Sequence, residues 1–192
     1  NAMTHVTHKQ DAPQRVGCAV ITVSDTRDER SDRSGQLIRE LLTGAGHEVV
    51  HYAVVRDSPP QIKGELALLV ERRSCQAILL NGGTGIAPRD HTFDTVNGLL
   101  EKRLDGFGEL FRYLSYQEIG SAAMLSRAVG GLAKGKLVLS LPGSEPAVRL
   151  AMTKLILPEL GHLVREASRE ARGERREARG PDDVSPSPQP LR

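Results

Sequence analysis

The sequence predicts an open α/β domain with a mostly parallel sheet and helices on both faces. Three observations predict it. Short apolar runs of strand length alternate with stretches of helical spacing, in a βαβαβ order. The run Gln76–Leu80 is almost wholly apolar, as a strand covered on both faces must be. The runs end repeatedly in Gly-, Ser- and Asp-rich segments able to turn the chain. A chain of 192 residues fits one core, and its parallel crossovers are expected to be right-handed.

The elements follow in order. Residues 1–14 are polar and without period, and read as a flexible arm ahead of a domain over residues 15–167. Val16–Val23 is a strand closed by Ser24-Asp25-Thr26, and the highly charged Arg27–Arg33 is expected to be a solvated loop. From Ser34, residues Leu37, Ile38, Leu41, Leu42 and Ala45 keep helical spacing, and Gly46 is the stop. His47–Val55 is the second strand. Ser58-Pro59-Pro60-Gln61 then offers an N-cap, a first-turn proline and a Gln at the capping-box position, with Ile62, Leu66, Leu69 and Val70 on one stripe of the helix. The third strand, Gln76–Leu80, runs into Asn81-Gly82-Gly83-Thr84-Gly85. Helices are expected around Thr92–Leu100 and over Gly108–Tyr116, followed by a short segment, Ser121–Arg127. Lys136–Leu141 is another core strand, and Leu141-Pro142-Gly143-Ser144 turns into a helix that Pro158 should end or kink. Residues 168–192 are Arg/Glu-rich, then Pro/Ser-rich, and are expected to be a disordered tail.

Composition narrows the function. The 26 basic and 24 acidic residues leave a formal charge of +2, which argues against a nucleic-acid or membrane-surface protein. Cys18 and Cys75 form no CxxC pair and read as inert thiols in a reducing compartment. No apolar stretch reaches the ~18 residues of a membrane span, and no secretory segment is evident. A cytoplasmic location is expected. The six histidines show no metal-ligand spacing and receive no function.

In an open α/β sheet, ligands bind at the carboxyl ends of the strands. Ser24-Asp25, Asp57, Gly82–Asp90 and Pro142-Gly143-Ser144 all fall there. Three glycines let the backbone approach an anion and take positive φ, and their N–H groups can hold a phosphate. The loop lacks the Gly-Lys-Ser/Thr of a P-loop and the last glycine of the dinucleotide fingerprint; a tight structural turn is the other reading. Asp90 and Asp94 share a face if the helix starts near Asp90. They either offset the helix dipole or hold a divalent cation against phosphate. Ser144 can cap its helix. Ser126 and Arg127 alone are uninformative.

Together these segments resemble the MoaB/Mog family of molybdenum cofactor biosynthesis proteins. The resemblance rests on VSDT at Val23–Thr26, DRSG at Asp32–Gly35, Asp57, GGTGIAPRDHTFD at Gly82–Asp94, GFGE at Gly106–Glu109, MLSRAVGG at Met124–Gly131 and LPGS at Leu141–Ser144. SYQEIGSAA and LILPEL are more similar to the MoaB branch. The resemblance implies a three-layer α/β/α fold, assembled as a homotrimer or dimer of trimers, that binds molybdopterin and works beside other proteins of that synthesis. In Mog-type members it implies adenylylation of the pterin's terminal phosphate with Mg-ATP. Carried onto this chain, Asp57, Asp90 and Ser126 become the catalytic candidates, with Asp57 and Asp90 as Mg²⁺ ligands. Ser24, Asp25, Gly82, Gly83, Thr84, Gly85, Asp94, Arg127, Pro142, Gly143 and Ser144 become the substrate-binding set. A binding or carrier protein of the same fold, without chemistry, is the alternative.

Overall fold

The computed structural model describes residues 13–178, with side chains through residue 168. Its strands are β1 (Gly17–Val23), β2 (Glu48–Val55), β3 (Ala77–Asn81), β4 (Lys102–Arg103), β5 (Val129–Ala133) and β6 (Lys136–Leu141). They form one sheet in the order β2-β1-β3-β6-β5-β4. β2, β1, β3 and β6 are mutually parallel, while β5 runs antiparallel to both its neighbours. The helices are α1 (Arg33–Gly44), α2 (Pro59–Glu71), α3 (Thr92–Asn97), α4 (Asp105–Ile119), α5 (Glu145–Ala151) and α6 (Leu157–Ala178).

Every residue of β1 and β3 is buried, and their side chains alternate between two cores. Cys18, Val20, Ala77 and Leu79 point to the face packed by α1, α4, α5 and α6. Ala19, Ile21, Ile78 and Leu80 point to the face packed by α2 and α3. The expected three layers are present. Both cysteines are free and buried, and burial pushes the Cys18 thiol up to about 12, so neither is a ready nucleophile. No helix among the described residues is long and apolar enough to cross a membrane.

The sequence reading needs four amendments. It missed β5 and β4. β5 has two glycines in place of β-branched residues, and its signal lay in the next two positions: Lys134 and Gly135 both have positive φ, 48° and 72°, and close the tight hairpin to β6. The helix expected over Thr92–Leu100 stops at Asn97, and the one expected over Gly108–Tyr116 extends to Asp105–Ile119. Of the two outcomes expected at Pro158, an end to the helix is not found. A π-helical turn, Met152–Ile156, precedes it, with the Leu157 N–H bonded to the Met152 carbonyl, and α6 continues through the proline. Its backbone remains helical to Ala178, where strong helix formers, Ala, Arg and Glu, dominate. Residues 1–12 of the predicted arm and 179–192 of the predicted tail lie outside the described residues.

The fourth amendment concerns Arg27–Arg33, which is not wholly solvated: Asp32 is 2% exposed. Its carboxylate caps α1 by accepting the Gly35 N–H at 2.9 Å, and it accepts the Tyr52 hydroxyl of β2 at 2.7 Å. Burial and that bond push the Tyr52 phenol far above its usual range, so it stays a neutral donor. One carboxylate therefore fixes both the start of α1 and its seat on the edge strand. Asp32→Ala should lower stability by about 2–3 kcal/mol and Tyr52→Phe by about 1–2. In urea unfolding the double variant should fall short of the sum; strict additivity would contradict the shared network.

Candidate functional site

The strand order reverses between β1 and β3, and the crevice outside their carboxyl ends is the expected ligand position. Adjacent pairing brings the predicted segments there. The Ser24 N–H bonds to the Val55 carbonyl at 2.8 Å, and the Asp57 N–H donates to the Asp25 carboxylate at 3.2 Å, joining the ends of β1 and β2. The Gly82 N–H bonds to the Leu141 carbonyl at 3.0 Å, joining the ends of β3 and β6. A Cβ on Gly143 would come within 3.1 Å of the Gly82 Cα, so the two glycine turns pack back to back. Pro142 lies between β6 and that turn. Ser144 caps α5, accepting the Ala147 N–H at 3.4 Å.

Gly82 and Gly83 both have positive φ, 98° and 62°. A Cβ on Gly82 would collide with the Val23 carbonyl, and one on Gly83 would collide with the Thr92 hydroxyl and the Asp57 carboxylate. Glycine is thus required twice, by conformation and by the closeness of the acid. The Asp57 Oδ1 accepts the His91 N–H at 3.1 Å and the Thr92 hydroxyl at 3.3 Å, which leaves Oδ2 facing the loop. Thr92 is fully buried and was not among the residues singled out by sequence. Thr84, next to Gly83 in the chain, is also buried, at 5% exposure.

Asp90 and Asp94 are not a pair on one helix face, because α3 begins at Thr92 and Asp90 precedes it. The Asp90 Oδ2 accepts the Ala87 N–H at 2.9 Å and closes the loop over Gly85. Asp94 instead pairs with Arg127 at 3.1 Å. The Arg127 guanidinium also donates to the Gly85 carbonyl at 2.9 and 2.6 Å and to the Asp90 carbonyl at 3.2 Å, and it covers the Phe93 ring at 4.7 Å. Arg127 therefore acts as a clamp on the glycine loop. A second clamp was not among the residues singled out by sequence: Arg27 donates to the Ser34 hydroxyl at 3.1 Å and the Gly143 carbonyl at 3.2 Å, and the Ser34 hydroxyl donates to that carbonyl at 2.6 Å.

Ser126 lies beyond Arg127, in the wall of a cavity of about 350 Å³ shared with Phe93, Glu109, Arg112 and Arg127. Its hydroxyl is buried without a partner, as is the Asn81 Oδ1 at the end of β3. Unpaired buried polar atoms are uncommon and need a water, an ion or a ligand. No group of three or more His, Cys, Asp or Glu able to hold a metal occurs among the described residues.

Comparison with known proteins identifies the family of the chain. Residues 19–162 match the family model described as "Probable molybdopterin binding domain". The chain is 53% identical over 160 residues to molybdenum cofactor biosynthesis protein B of Halalkalibacterium halodurans, covering 83% of this chain and 94% of that one. It is 51% identical over 160 residues to the protein of that name from Bacillus subtilis, covering 83% and 94%. A crystal structure of molybdenum cofactor biosynthesis protein B superposes with a TM-score of 0.80 at 52% identity, covering 83% of this chain and 99% of that one. The tungsten cofactor synthesizing protein MoaB from Pyrococcus furiosus superposes at 0.75 with 37% identity, covering 82% and 99%.

Burial raises the Asp57 carboxyl above the ordinary range; bonds from His91 and Thr92 oppose this, and the Asp90 charge adds to it. A raised folded-state pKa favours folding only while the group is protonated, and that contribution is lost as pH rises through it. Asp57→Asn should therefore raise the melting temperature at pH 7, with the gain shrinking as pH falls through the Asp57 pKa into the ordinary carboxylate range. Melts at both ends of that window check this, and an equal gain at both would contradict it.

Proposed function

Because this chain belongs to the molybdopterin-binding domain family of molybdenum cofactor biosynthesis proteins, we propose that it binds molybdopterin across the Gly82–Gly85 rim and adenylylates the terminal phosphate with Mg-ATP. The observation that carries this reading is the Asp57 carboxylate set against the bare backbone of Gly83, where a Cβ would collide with it. A protein that merely carried a phosphorylated pterin would gain from a cation there and would lose affinity to an acid. The acid becomes useful when phosphates arrive with a metal ion.

The chemistry balances as a phosphoryl-type transfer. An oxygen of the pterin phosphate bonds to the α-phosphorus of ATP, the bond from that phosphorus to the bridging oxygen breaks, and pyrophosphate leaves with the electron pair. The protein's contribution is alignment and charge stabilisation. Glycine N–H groups hold the pterin phosphate, and Ser126 supports the pterin side from the cavity wall. The acids fit Mg²⁺ in a limited way: Asp90 lies near enough to raise the Asp57 carboxyl, and no third protein ligand accompanies them among the described residues. Asp57 and Asp90 would hold the ion with phosphate oxygens completing its shell, as Mg²⁺ commonly binds. It supplies neutralising charge for the leaving pyrophosphate.

We also propose a homotrimer, supported by an uncovered apolar stripe. Leu110, Tyr113, Tyr116 and Ile119 recur every third residue of α4 and are 53–61% exposed, next to Met124 and Leu125 in the following 3₁₀ turn. Such a patch marks an interface in a soluble chain.

Two outcomes are expected. Single-turnover incubation with Mg-ATP and molybdopterin should yield adenylylated pterin. Asp57→Ala or Asp90→Ala should slow this about 10²–10³-fold while pterin binding persists, and variants as fast as the parent would remove both residues from the mechanism. Sedimentation should show a trimer that Tyr113→Glu with Tyr116→Glu converts to monomer; a monomeric parent at micromolar concentration would refute the assembly.

A further inference from the structure

The cavity behind Arg127 contains an unassigned pair. Glu109 and Arg112 are three residues apart on α4, hence on one face, and both line it. The other two arginines in the wall are committed: Arg103 to Asp105 at 2.9 Å, and Arg127 to Asp94 and the glycine loop. Glu109 has no ion-pair partner among the described residues, and Arg112 has one recorded bond, a long contact of 3.4 Å to the Ala128 carbonyl.

Gly108 makes room for this arrangement. A Cβ there would sit 2.6 Å from the Ala128 carbonyl and 3.0 and 3.1 Å from the two terminal nitrogens of Arg112. Without it, the guanidinium can come close to the helix backbone at Gly108, in the cavity wall. The result is a guanidinium donor and a carboxylate acceptor in one cavity wall, which they share with Phe93 and the unpartnered Ser126 hydroxyl.

That order of acceptor and donor is the complement of one heterocyclic edge. A 2-amino-4-oxo-pyrimidine presents an amino group and a ring N–H, both donors, followed by a carbonyl acceptor. A carboxylate takes the two parallel N–H bonds, and a guanidinium donates to the carbonyl. We propose that Glu109 and Arg112 read this edge of the pterin ring, which places the ring in the cavity and its phosphate at the glycine loop. The proposal rests on the chain being a pterin binder and adds the residues that recognise the ring. The cavity, about 350 Å³, falls within the ~300–1,000 Å³ range of small-molecule sites.

The test uses two free heterocycles, pterin and lumazine, which differ in that lumazine carries a 2-oxo group where pterin has its 2-amino group. Fluorescence titration of the full chain should show pterin preferred by about tenfold or more, since a carboxylate facing a carbonyl loses its bonds and repels. Glu109→Gln should remove the preference by weakening pterin alone. Arg112→Gln should weaken both about equally, because both keep the 4-oxo group. Unchanged melting temperatures establish that the variants are folded. Retained preference in Glu109→Gln, no preference in the parent, or binding of neither at millimolar concentration overturns the assignment. Asp57→Ala should keep the pterin preference, and in the parent chain an absent AMP transfer with an intact preference would sink the catalytic reading alone.

Discussion

Everything at the rim depends on a missing side chain. Where Gly83 turns with positive φ, the Asp57 carboxylate and the Thr92 hydroxyl occupy the space that a Cβ would fill. The loop after β3 can therefore lie on the end of β2 although β1 stands between the two strands in the sheet. The acid is held rigidly, by the His91 N–H and the Thr92 hydroxyl, rather than left to swing in solvent. Fixed dipoles and charges of this kind act without reorganisation when a charged ligand arrives. The penalty is visible in Asp57 itself, whose ionised form is disfavoured by burial.

Opposite charge elsewhere keeps this arrangement in place. Arg127 spends its donors on the Gly85 and Asp90 carbonyls and the Asp94 carboxylate, converting a glycine-rich segment into a fixed surface. Arg27 and Ser34 do the same for Gly143 on the other side. A glycine loop has high conformational freedom in the unfolded chain, and these clamps restrict it in the fold through bonds to carbonyls. The Gly82 N–H is bonded to the Leu141 carbonyl, and on the proposed reading the N–H groups of Gly83 and Gly85 face the ligand.

The fold was legible because apolar runs report burial directly: β1, β3 and β6 were bounded to within a residue or so by hydrophobicity alone. What hydrophobicity reports poorly is a short strand with two glycines at its centre, and β5 was missed for that reason. Charge patterning misled at Asp32, where one buried acid sits within a run of exposed charges; its burial depends on Tyr52, which is distant in sequence. The rim was legible as a set of strand ends, since topology alone places Ser24, Asp57, Gly82 and Gly143 on one edge. The partners within the set were not. Asp90 and Asp94 looked like a pair by spacing, and a two-residue delay in the helix start separated them. Thr92 was silent because a threonine at a helix start has an ordinary capping role.

The two halves of the proposed site differ in kind, and Arg127 is where they meet. Its guanidinium touches the glycine loop on one side and walls the Ser126 cavity on the other. On the proposed reading, a ligand with an anionic end and a planar end would lie across it, the anion at backbone N–H groups and the ring among side chains. That division follows from physical chemistry: phosphate is recognised by close backbone approach, which needs glycine, whereas a heterocycle is recognised by an ordered donor and acceptor edge, the part proposed for Glu109 and Arg112. Loss of Arg127 would therefore disturb both ends together, although its own donors are already spent within the protein. On that reading, its role is to keep the two recognition surfaces in register.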